Sequence, residues 1–325
     1  MIRLDMSDRE YHGTQAISFH FLRDLETWGP AGAIGRMRGL IGKPETDAFR
    51  VGRLTHLAVL EGDTAVAARV ACVPPTYTTA PPDMKPWNPR AKYCREWQAS
   101  HPDKPTPAEY PDGPPAEEKP WNWNAGPCRA WLVAQEAEGR LVADAKEVAM
   151  VVSMRTAAMQ TPDAAGLLRS GIPEAAFFQD EGGVPIKAKL DWIVSAAASA
   201  DAWSAIVDLK TCDNISGFMD DIFRHHYHRQ MAWYRWIVQQ ETGRRLPAAL
   251  LAVEKGSVHR VRVYDLSDAI LDAAHDTNMR SLELALDLWR RDDWPRDLGM
   301  ARQPVVPPAW FSRHVAEATA AEDPY

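Results

Sequence analysis

The sequence predicts a mixed α/β domain of the α+β type, in which helices flank a central mixed β-sheet. Val184–Val194 alternates apolar and other residues, as a strand with one buried face does. Trp203–Thr211 follows a loop of small residues and is a further strand-like run. A long helical pattern from Ser216 to Thr242, closed by Gly243, comes next. The second half of the chain therefore reads β-β-β-α-β-β-α, behind a helix-rich first half.

The first 73 residues are predicted to be mainly helical. A short helix is expected over Phe19–Trp28, followed by an irregular segment that carries Arg36, Arg38 and Lys43. A second helix is expected from Thr46 to Glu61, with the following glycine as its stop.

Residues 74–127 form a proline- and tryptophan-rich insertion that cannot be one regular element, because proline pairs interrupt it. A motif occurs twice within it, once from Trp87 and once from Trp121: Trp-Asn, then Ala, then Cys-Arg-x-Trp. Two copies are too few for a solenoid. We therefore expect a local duplication in a surface insertion, and we expect the fold to tolerate truncation of Trp97–Trp121.

The segment from 128 to 292 is predicted to hold a helical part and the core sheet. Helix is expected from Ala130 to Leu168 with a break near Thr161, and a short strand over Glu174–Gln179. Pro247–Glu254 and Val258–Tyr264 read as a hairpin. A helix capped by Ser267 runs to about Trp289, and 293–325 reads as an irregular tail, all within a single domain of residues 1–325.

The alternation in the second predicted strand assigns its side chains to two faces. One face is expected to carry Ile186, Ala188, Leu190, Trp192 and Val194. The other face is expected to carry Lys187, Lys189, Asp191 and Ile193.

Charge and composition exclude several classes of protein. The 325 residues include 37 Lys and Arg against 44 Asp and Glu, a formal net charge of −7. This balance excludes a protein that coats nucleic acid or an anionic membrane by bulk charge, although it allows a local basic groove. No run approaches the ~20 apolar residues of a membrane span, and the start has no apolar run typical of a signal peptide. Four dispersed cysteines without a C-x-x-C pair favour a reducing, cytoplasmic location.

The sharpest local signal is Asp208-x-Lys210 on the strand Trp203–Thr211. Residues two apart in a strand share a face, so the carboxylate and the ammonium project together. For this pair alone, an ion pair on an edge strand is the commoner explanation. Asp191 changes that balance, because a short loop between the two strands suggests antiparallel pairing that brings it beside Asp208. Two converging carboxylates repel unless a cation lies between them, and oxygen-rich sites suit Mg²⁺ or Mn²⁺. A neighbouring lysine then suits a phosphate substrate.

Two further positions could contribute to such a site. His56 shares a helix face with Phe49 and Leu60 and is predicted to point into the fold. A core histidine is its commoner explanation, although imidazole also fits a metal site with carboxylates. Gln230 and Tyr234 form an i,i+4 pair on one face of the long helix, either as a polar surface stripe or as support for the lysine or a DNA phosphate.

Together these residues resemble the PD-(D/E)xK nuclease superfamily. The resemblance rests on the ordered set Gly52-x-x-x-His56, Glu174, Asp191, Asp208-x-Lys210 and Gln230-x-x-x-Tyr234. Within the superfamily the chain is similar to the exodeoxyribonuclease VIII-type recombination exonucleases of phages and prophages. That similarity includes an opening with Glu10-Tyr11-His12, Ala16-Ile17-Ser18 and Leu22-Arg23-Asp24-Leu25, where His20 replaces an expected serine.

The resemblance implies a restriction-endonuclease-like core and a role for each motif residue. His56, Asp191, Asp208 and the Leu209 carbonyl match the metal ligands, here for Mg²⁺ or Mn²⁺. Lys210 matches the lysine that positions or activates the attacking water. Glu174 matches an acidic position that holds a second metal or a bound water. Gln230 and Tyr234 match the motif on the helix after the catalytic strand.

The resemblance also implies an activity and partners. The family digests linear double-stranded DNA from its ends, typically 5′ to 3′, and leaves single-stranded tails for an annealing recombinase. Its members form closed rings, so a homo-oligomer is expected. For contacts with DNA phosphates we expect Lys187, Lys189, Arg36, Arg38, Lys43, Arg224 and Arg229.

Three alternatives remain open from the sequence. The iron–sulfur nuclease branch needs four clustered cysteines, and no cysteine follows Cys212, so no cluster is expected. A structure-selective endonuclease could use the same core. A catalytically silent module that binds DNA or a partner is disfavoured by the intact ligand set.

Overall fold

The computed structural model describes residues 1–4, 6–42, 46–79, 83–111, 116–197 and 199–296. In these ranges the strands are β1 (Ile2–Arg3), β2 (Val70–Cys72), β3 (Thr76–Thr78), β4 (Met84–Pro86), β5 (Glu109–Pro111), β6 (Glu118–Pro120), β7 (Leu141–Ala143), β8 (Gly171–Glu181), β9 (Val184–Ser195), β10 (Trp203–Cys212), β11 (Ala248–Glu254) and β12 (Val261–Leu266). The helices are α1 (Asp8–Gly13), α2 (Phe19–Met37), α3 (Asp47–His56), α4 (Asp63–Arg69), α5 (Lys92–Ser100), α6 (Gly126–Ala137), α7 (Ala145–Gln160), α8 (Pro162–Leu168), α9 (Phe218–Arg224), α10 (Tyr227–Thr242) and α11 (Asp268–Arg291).

A six-stranded sheet forms the centre of the molecule, in the order β1-β8-β9-β10-β11-β12. Its neighbours pair antiparallel except β10 and β11, which are parallel. The parallel pair needs a crossover, and α9 and α10 supply it between the two strands. The expected mixed sheet flanked by helices is therefore confirmed.

Helices cover both faces of this sheet. Helices α2, α10 and α11 enclose one core, which contains fully buried residues such as Trp233 and Ile206. Helices α7 and α8 and the turn after α3 enclose the other, which contains Met154 and Val207. The site residues lie where these layers meet the middle strands.

The alternation predicted for β9 holds only as far as Asp191. Ile186, Ala188 and Leu190 lie in the core beneath α10, as expected together. Trp192 and Val194 instead pack in the opposite core. The expectation of one shared face was therefore wrong beyond Asp191, because the strand changes phase there.

Helix α2 extends beyond the predicted end at Trp28. Gly29 has a φ of 70°, and Pro30 follows it, so the chain kinks and then continues as helix to Met37. The irregular segment expected to carry Arg36 is thus helical. Lys43 lies outside the described residues.

The insertion contains two similar strand–turn–helix units. Lys-Pro-Trp-Asn occurs in both, at Lys85–Asn88 and at Lys119–Asn122. In each, the asparagine side chain accepts a hydrogen bond from the backbone N–H two residues later, and a helix with a fully buried cysteine follows. The strand pairing crosses between the units, since β3 pairs with β6 and β4 with β5.

The helix expected from Ser216 to Thr242 is interrupted, because α9 ends at Arg224 and α10 begins at Tyr227 after the left-handed residue His226. The break in the helical region is confirmed, because α7 ends at Gln160 and α8 begins at Pro162. The short strand β7 was not foreseen in that region. No helix within the described ranges combines the length and the apolar character that crossing a bilayer requires.

Candidate active site

Four elements of the fold bring the predicted ligands together. His56 ends α3, where the helix widens into a π-helical turn over Leu57–Glu61. Glu174 lies on β8, Asp191 on β9 and Asp208 on β10. Since β8, β9 and β10 are sheet neighbours, the three carboxylates come from adjacent strands. A π-helical turn beside them is a feature often found at functional sites.

His56, Glu174 and Asp191 form a cluster with metal-ligand spacing. One ligand atom from each lies within 4.8 Å of the others. The Nδ1 of His56 is 3.5 Å from an Asp191 oxygen and 4.0 Å from a Glu174 oxygen. Burial lowers the pKa of His56, although the negative charge of Glu174 acts to raise it. The lowered pKa favours the neutral imidazole, which is the form that binds metals.

The backbone of Leu209 connects His56 to Asp191. The Nε2 of His56 lies 2.9 Å from the Leu209 carbonyl oxygen, which can only accept, so Nε2–H donates. Nδ1 is then free of hydrogen and faces the carboxylates. The Leu209 N–H donates to Asp191 at 2.9 Å. The Leu209 carbonyl, predicted as a metal ligand, therefore lies at the cluster and is bonded to His56.

Asp208 is a buried carboxylate with unfilled hydrogen-bonding capacity. Its side chain is 0% exposed, and neither oxygen accepts a hydrogen bond of good geometry from the described residues. Lys210 forms an ion pair with it, as the shared strand face predicts. Burial, and then the charge of Asp191, raises the pKa of Asp208 to about 7. Burial also raises the pKa of Asp191 to about 6.

These observations fit a divalent cation. Buried carboxylates that repel one another are costly unless a cation compensates them. The donor set of one imidazole and several carboxylates, with a backbone carbonyl, has the chemistry to hold a divalent cation. Asp208 lies outside the three-residue cluster but adjoins it electrostatically through Asp191. Burial alone would lower the pKa of Lys210, but the charges of Asp208 and Asp191 raise it, so Lys210 is an ammonium.

Glu174 is held in a strained conformation. Its φ is 54°, which is unusual for a residue with a side chain and costs on the order of 1–3 kcal/mol. Lys189 holds the Glu174 carboxylate at 2.8 Å and also binds Asp8 of α1 at 2.5 Å. Lys189 thus ties the N-terminal helix to the edge of the cluster.

The long helix α10 presents its predicted pair toward the same region. Gln230 and Tyr234 are buried, and the Gln230 side-chain amide donates to the Tyr234 hydroxyl at 2.7 Å. Tyr227 precedes them at i−3 and i−7, and its ring centroid is 4.9 Å from the Lys210 Nζ. We did not predict Tyr227 from the sequence. Its spacing from Gln230 and Tyr234 was the available signal.

Two of the expected DNA contacts are buried inside the protein. Lys187 donates to the backbone carbonyls of Tyr11 and Thr14 at 2.7 and 2.6 Å. Arg229 binds the carboxylate of Glu26 through two hydrogen bonds. Both cations therefore hold the fold together, and neither presents its charge on the surface.

Three other expected contacts remain accessible to different degrees. Arg224 is the most exposed, with 68% of its side chain in solvent. Arg38 is 43% exposed and Arg36 is 20% exposed. Each is paired with an aspartate of the chain at 3.1–3.4 Å. Among the expected contacts in the described residues, these three arginines could meet a DNA phosphate without unfolding.

A comparison with known families matches residues 131–302 to a family described as a PDDEXK-like domain of unknown function (DUF3799). The chain belongs to this DUF3799 family. The match includes β8 to β12 and α10, and hence Glu174, Asp191, Asp208 and Lys210; His56 precedes it. The predicted PD-(D/E)xK type is thereby confirmed. The exodeoxyribonuclease VIII branch stays a prediction.

Solved structures extend the likeness of this DUF3799 protein to the rest of the chain. A crystal structure of a protein from Eubacterium rectale, described as a putative exonuclease, superposes with a TM-score of 0.55. The two are 14% identical, over 96% of this chain and 98% of the other. At that identity the likeness establishes the fold. No curated protein matches the chain.

Proposed function

We propose that this DUF3799 protein is a Mg²⁺- or Mn²⁺-dependent exonuclease that hydrolyses linear double-stranded DNA from its ends. The observation that carries the proposal is the buried Asp208 carboxylate, whose oxygens accept no hydrogen bond of good geometry from the described residues while it lies beside Asp191 and the Lys210 ammonium. Such an arrangement supports a site for a cation and a phosphate rather than a structural ion pair. The PDDEXK-like family membership gives the same reaction class.

Each site residue has a role that follows from its position. His56, Glu174, Asp191 and Asp208 would hold the divalent ion, together with the Leu209 carbonyl. When bound, the ion neutralises charge on the phosphate and lowers the pKa of a water. Lys210 stays protonated and so serves to orient that water or to balance charge on a phosphate oxygen. Gln230 and Tyr234 form a buried, hydrogen-bonded support behind the strand.

The finer parts of the proposal rest on the resemblance in the sequence. They are digestion from 5′ to 3′, single-stranded tails for an annealing recombinase, a homo-oligomeric ring, and a bacterial or phage-encoded protein of the cytoplasm. The description of the Eubacterium rectale neighbour favours an exonuclease over an endonuclease on the same core.

The test compares linear and covalently closed circular duplex of one sequence, incubated with Mg²⁺ and with Mn²⁺. We expect digestion of the linear form alone and no digestion in EDTA. Lys210→Ala and Asp208→Ala should abolish cleavage while binding to DNA ends stays measurable. The matched control is Lys146→Ala, since Lys146 is an exposed lysine on α7, outside the site.

Each other outcome overturns part of the proposal. Nicking of the circular form would identify an endonuclease on the same core. Absence of cleavage with both ions would leave a module that binds DNA or a partner. Normal digestion by Lys210→Ala would refute the site assignment. End-labelled substrates, 5′ in one reaction and 3′ in the other, decide the polarity.

A further inference from the structure

The ammonium of Lys210 contacts both a carboxylate and an aromatic ring. It forms the ion pair with Asp208. The Tyr227 ring centroid lies 4.9 Å from Nζ, within the distance at which a ring face attracts a cation. The side chain of Lys210 is 16% exposed, so little water competes with either contact. These two contacts limit the positions that a long, flexible side chain can adopt.

The backbone delivers Tyr227 to this place by an unusual turn. His226 has a φ of 60°, a left-handed conformation that a residue with a side chain adopts at a cost. This turn ends the α9 segment and starts α10 with Tyr227 as its first residue. Tyr227, Gln230 and Tyr234 then follow the i, i+3, i+7 spacing of one helix face. The ring is further fixed by Phe218, which stacks on it at 6.0 Å.

We propose that Tyr227 is a positioning residue, which holds the Lys210 ammonium at the reacting phosphate through the face of its ring. The inference rests on the proposed nuclease function and adds a residue to it. A lysine that is free to rotate would reach the productive position only part of the time, and misplacement lowers the rate of the chemical step. The contact is made by the ring, since the Tyr227 hydroxyl forms no hydrogen bond to another side chain in the described part of the chain.

If the ring of Tyr227 makes the contact, aromatic and non-aromatic substitutions at this position should differ in activity. Tyr227→Phe keeps the ring and should retain most of the activity, within about threefold. Tyr227→Leu and Tyr227→Met remove the ring but stay apolar, and each should lower kcat by about tenfold, as expected for loss of a cation–π contact. The KM for linear duplex should stay within about threefold, because the contact acts on Lys210 and not on the DNA.

The control variant is Tyr77→Leu, which removes a half-buried tyrosine from β3 in the insertion, away from Lys210. It should leave kcat unchanged. Thermal unfolding of every variant shows whether it is folded, and the two non-aromatic variants keep the test valid if one of them is not.

A second readout does not depend on cleavage. With ¹³C-labelled lysine, the ring current of Tyr227 should displace the Lys210 Hε resonance upfield, and Lys210→Arg assigns that signal. The displacement should persist in Tyr227→Phe and disappear in Tyr227→Leu. Unchanged kcat in both non-aromatic variants, or an undisplaced Lys210 signal in the native protein, overturns the proposal. Equal losses in Tyr227→Phe and Tyr227→Leu overturn it as well, because they assign the role to the hydroxyl.

These readouts also separate this proposal from the proposed function. A native protein that cuts no DNA with either ion refutes the exonuclease and with it the effect on kcat. The Lys210 signal still reports whether the ring holds the ammonium. A native protein that digests DNA but shows no difference among the Tyr227 variants refutes the positioning role alone.

Discussion

The carboxylate of Asp208 is fully buried and accepts no hydrogen bond of good geometry from the described residues. Its negative charge therefore lowers the stability of the folded protein. Its pKa in the folded chain is about 7, and an unfolded aspartate titrates near 3.9. A carboxyl whose pKa is raised by folding contributes fully below the unfolded value. That contribution is lost as the pH rises through the folded value. Asp191, with a pKa of about 6, acts in the same direction.

The stability of the protein in EDTA should therefore fall between pH 5 and pH 8, by on the order of 4 kcal/mol for the two carboxyls together. Asp208→Asn removes the ionisation and should remove much of this fall, so that the variant is the more stable protein at pH 8. Urea unfolding at several pH values measures the effect. Asp163→Asn, at an exposed position of α8, is the control and should leave the fall intact. If Asp208→Asn loses as much stability with rising pH as the native protein, another group causes the pH dependence.

Contacts between residues close in sequence could be predicted, whereas contacts between distant segments could not. The i,i+2 spacing of a strand placed Asp208 and Lys210 together correctly, because that periodicity is a property of the backbone alone. Lys187 shows the limit, since its partners are carbonyls of residues 11 and 14. Such a contact depends on where the N-terminal segment packs. Tyr227 was missed for the same reason, because its importance depends on a turn at His226.

At the scale of elements, hydrophobic periodicity predicted where most helices and strands lie. It did not predict the places where a helix or strand bends or is interrupted. The strand pair of the core follows its predicted bounds closely. The single helix predicted from Ser216 to Thr242 was wrong, because the left-handed turn at His226 divides it into α9 and α10. The phase change of β9 at Asp191 is invisible in the sequence, because the residues that follow, Trp192 to Val194, are all apolar and suit either core. The kink of α2 was predicted as an end, although the helix resumes after Pro30.

The crossed strand pairing of the insertion changes the expected result of deleting part of it. Removing Trp97–Trp121 would take away β5 and β6, which are the partners of β4 and β3. Two strands would then expose unpaired edges, a state that favours aggregation. This prediction replaces the tolerance expected from the sequence.

Deletion of the whole insertion should give a soluble protein, whereas the partial deletion should not. Its helices pack mainly on its own strands and on β7. Strands β2 and β7 run parallel at its base, so residues 75–139 need replacement by a linker of about 12 Gly and Ser residues. We expect this variant to be soluble, with a melting temperature near that of the full chain, and the partial deletion to be insoluble. Soluble protein from both deletions would show that the strand pairing contributes little.

At the scale of the whole molecule, the net charge of −7 sets a limit on how the protein can hold DNA. Cations inside the fold do not help, since Lys187 and Arg229 are engaged by the chain itself. Of the expected DNA contacts in the described residues, three arginines keep part of their side chain in solvent, which are Arg36, Arg38 and Arg224. Strong attachment to DNA would then come from enclosure by several copies rather than from charge on one. The expected ring would supply such enclosure.

Salt dependence and oligomer mass, measured together, test this view of DNA binding. Each neutralised phosphate contributes about −0.9 to the slope of log K against log salt, so three arginines predict about −3 for each engaged chain. Binding to a duplex end in Ca²⁺, with native mass giving the number of chains, yields the slope per chain. Replacing all three arginines with glutamine should remove most of it. An unchanged slope would place the phosphate contacts on other residues, and a monomer with tight, salt-resistant end binding would contradict enclosure by a ring.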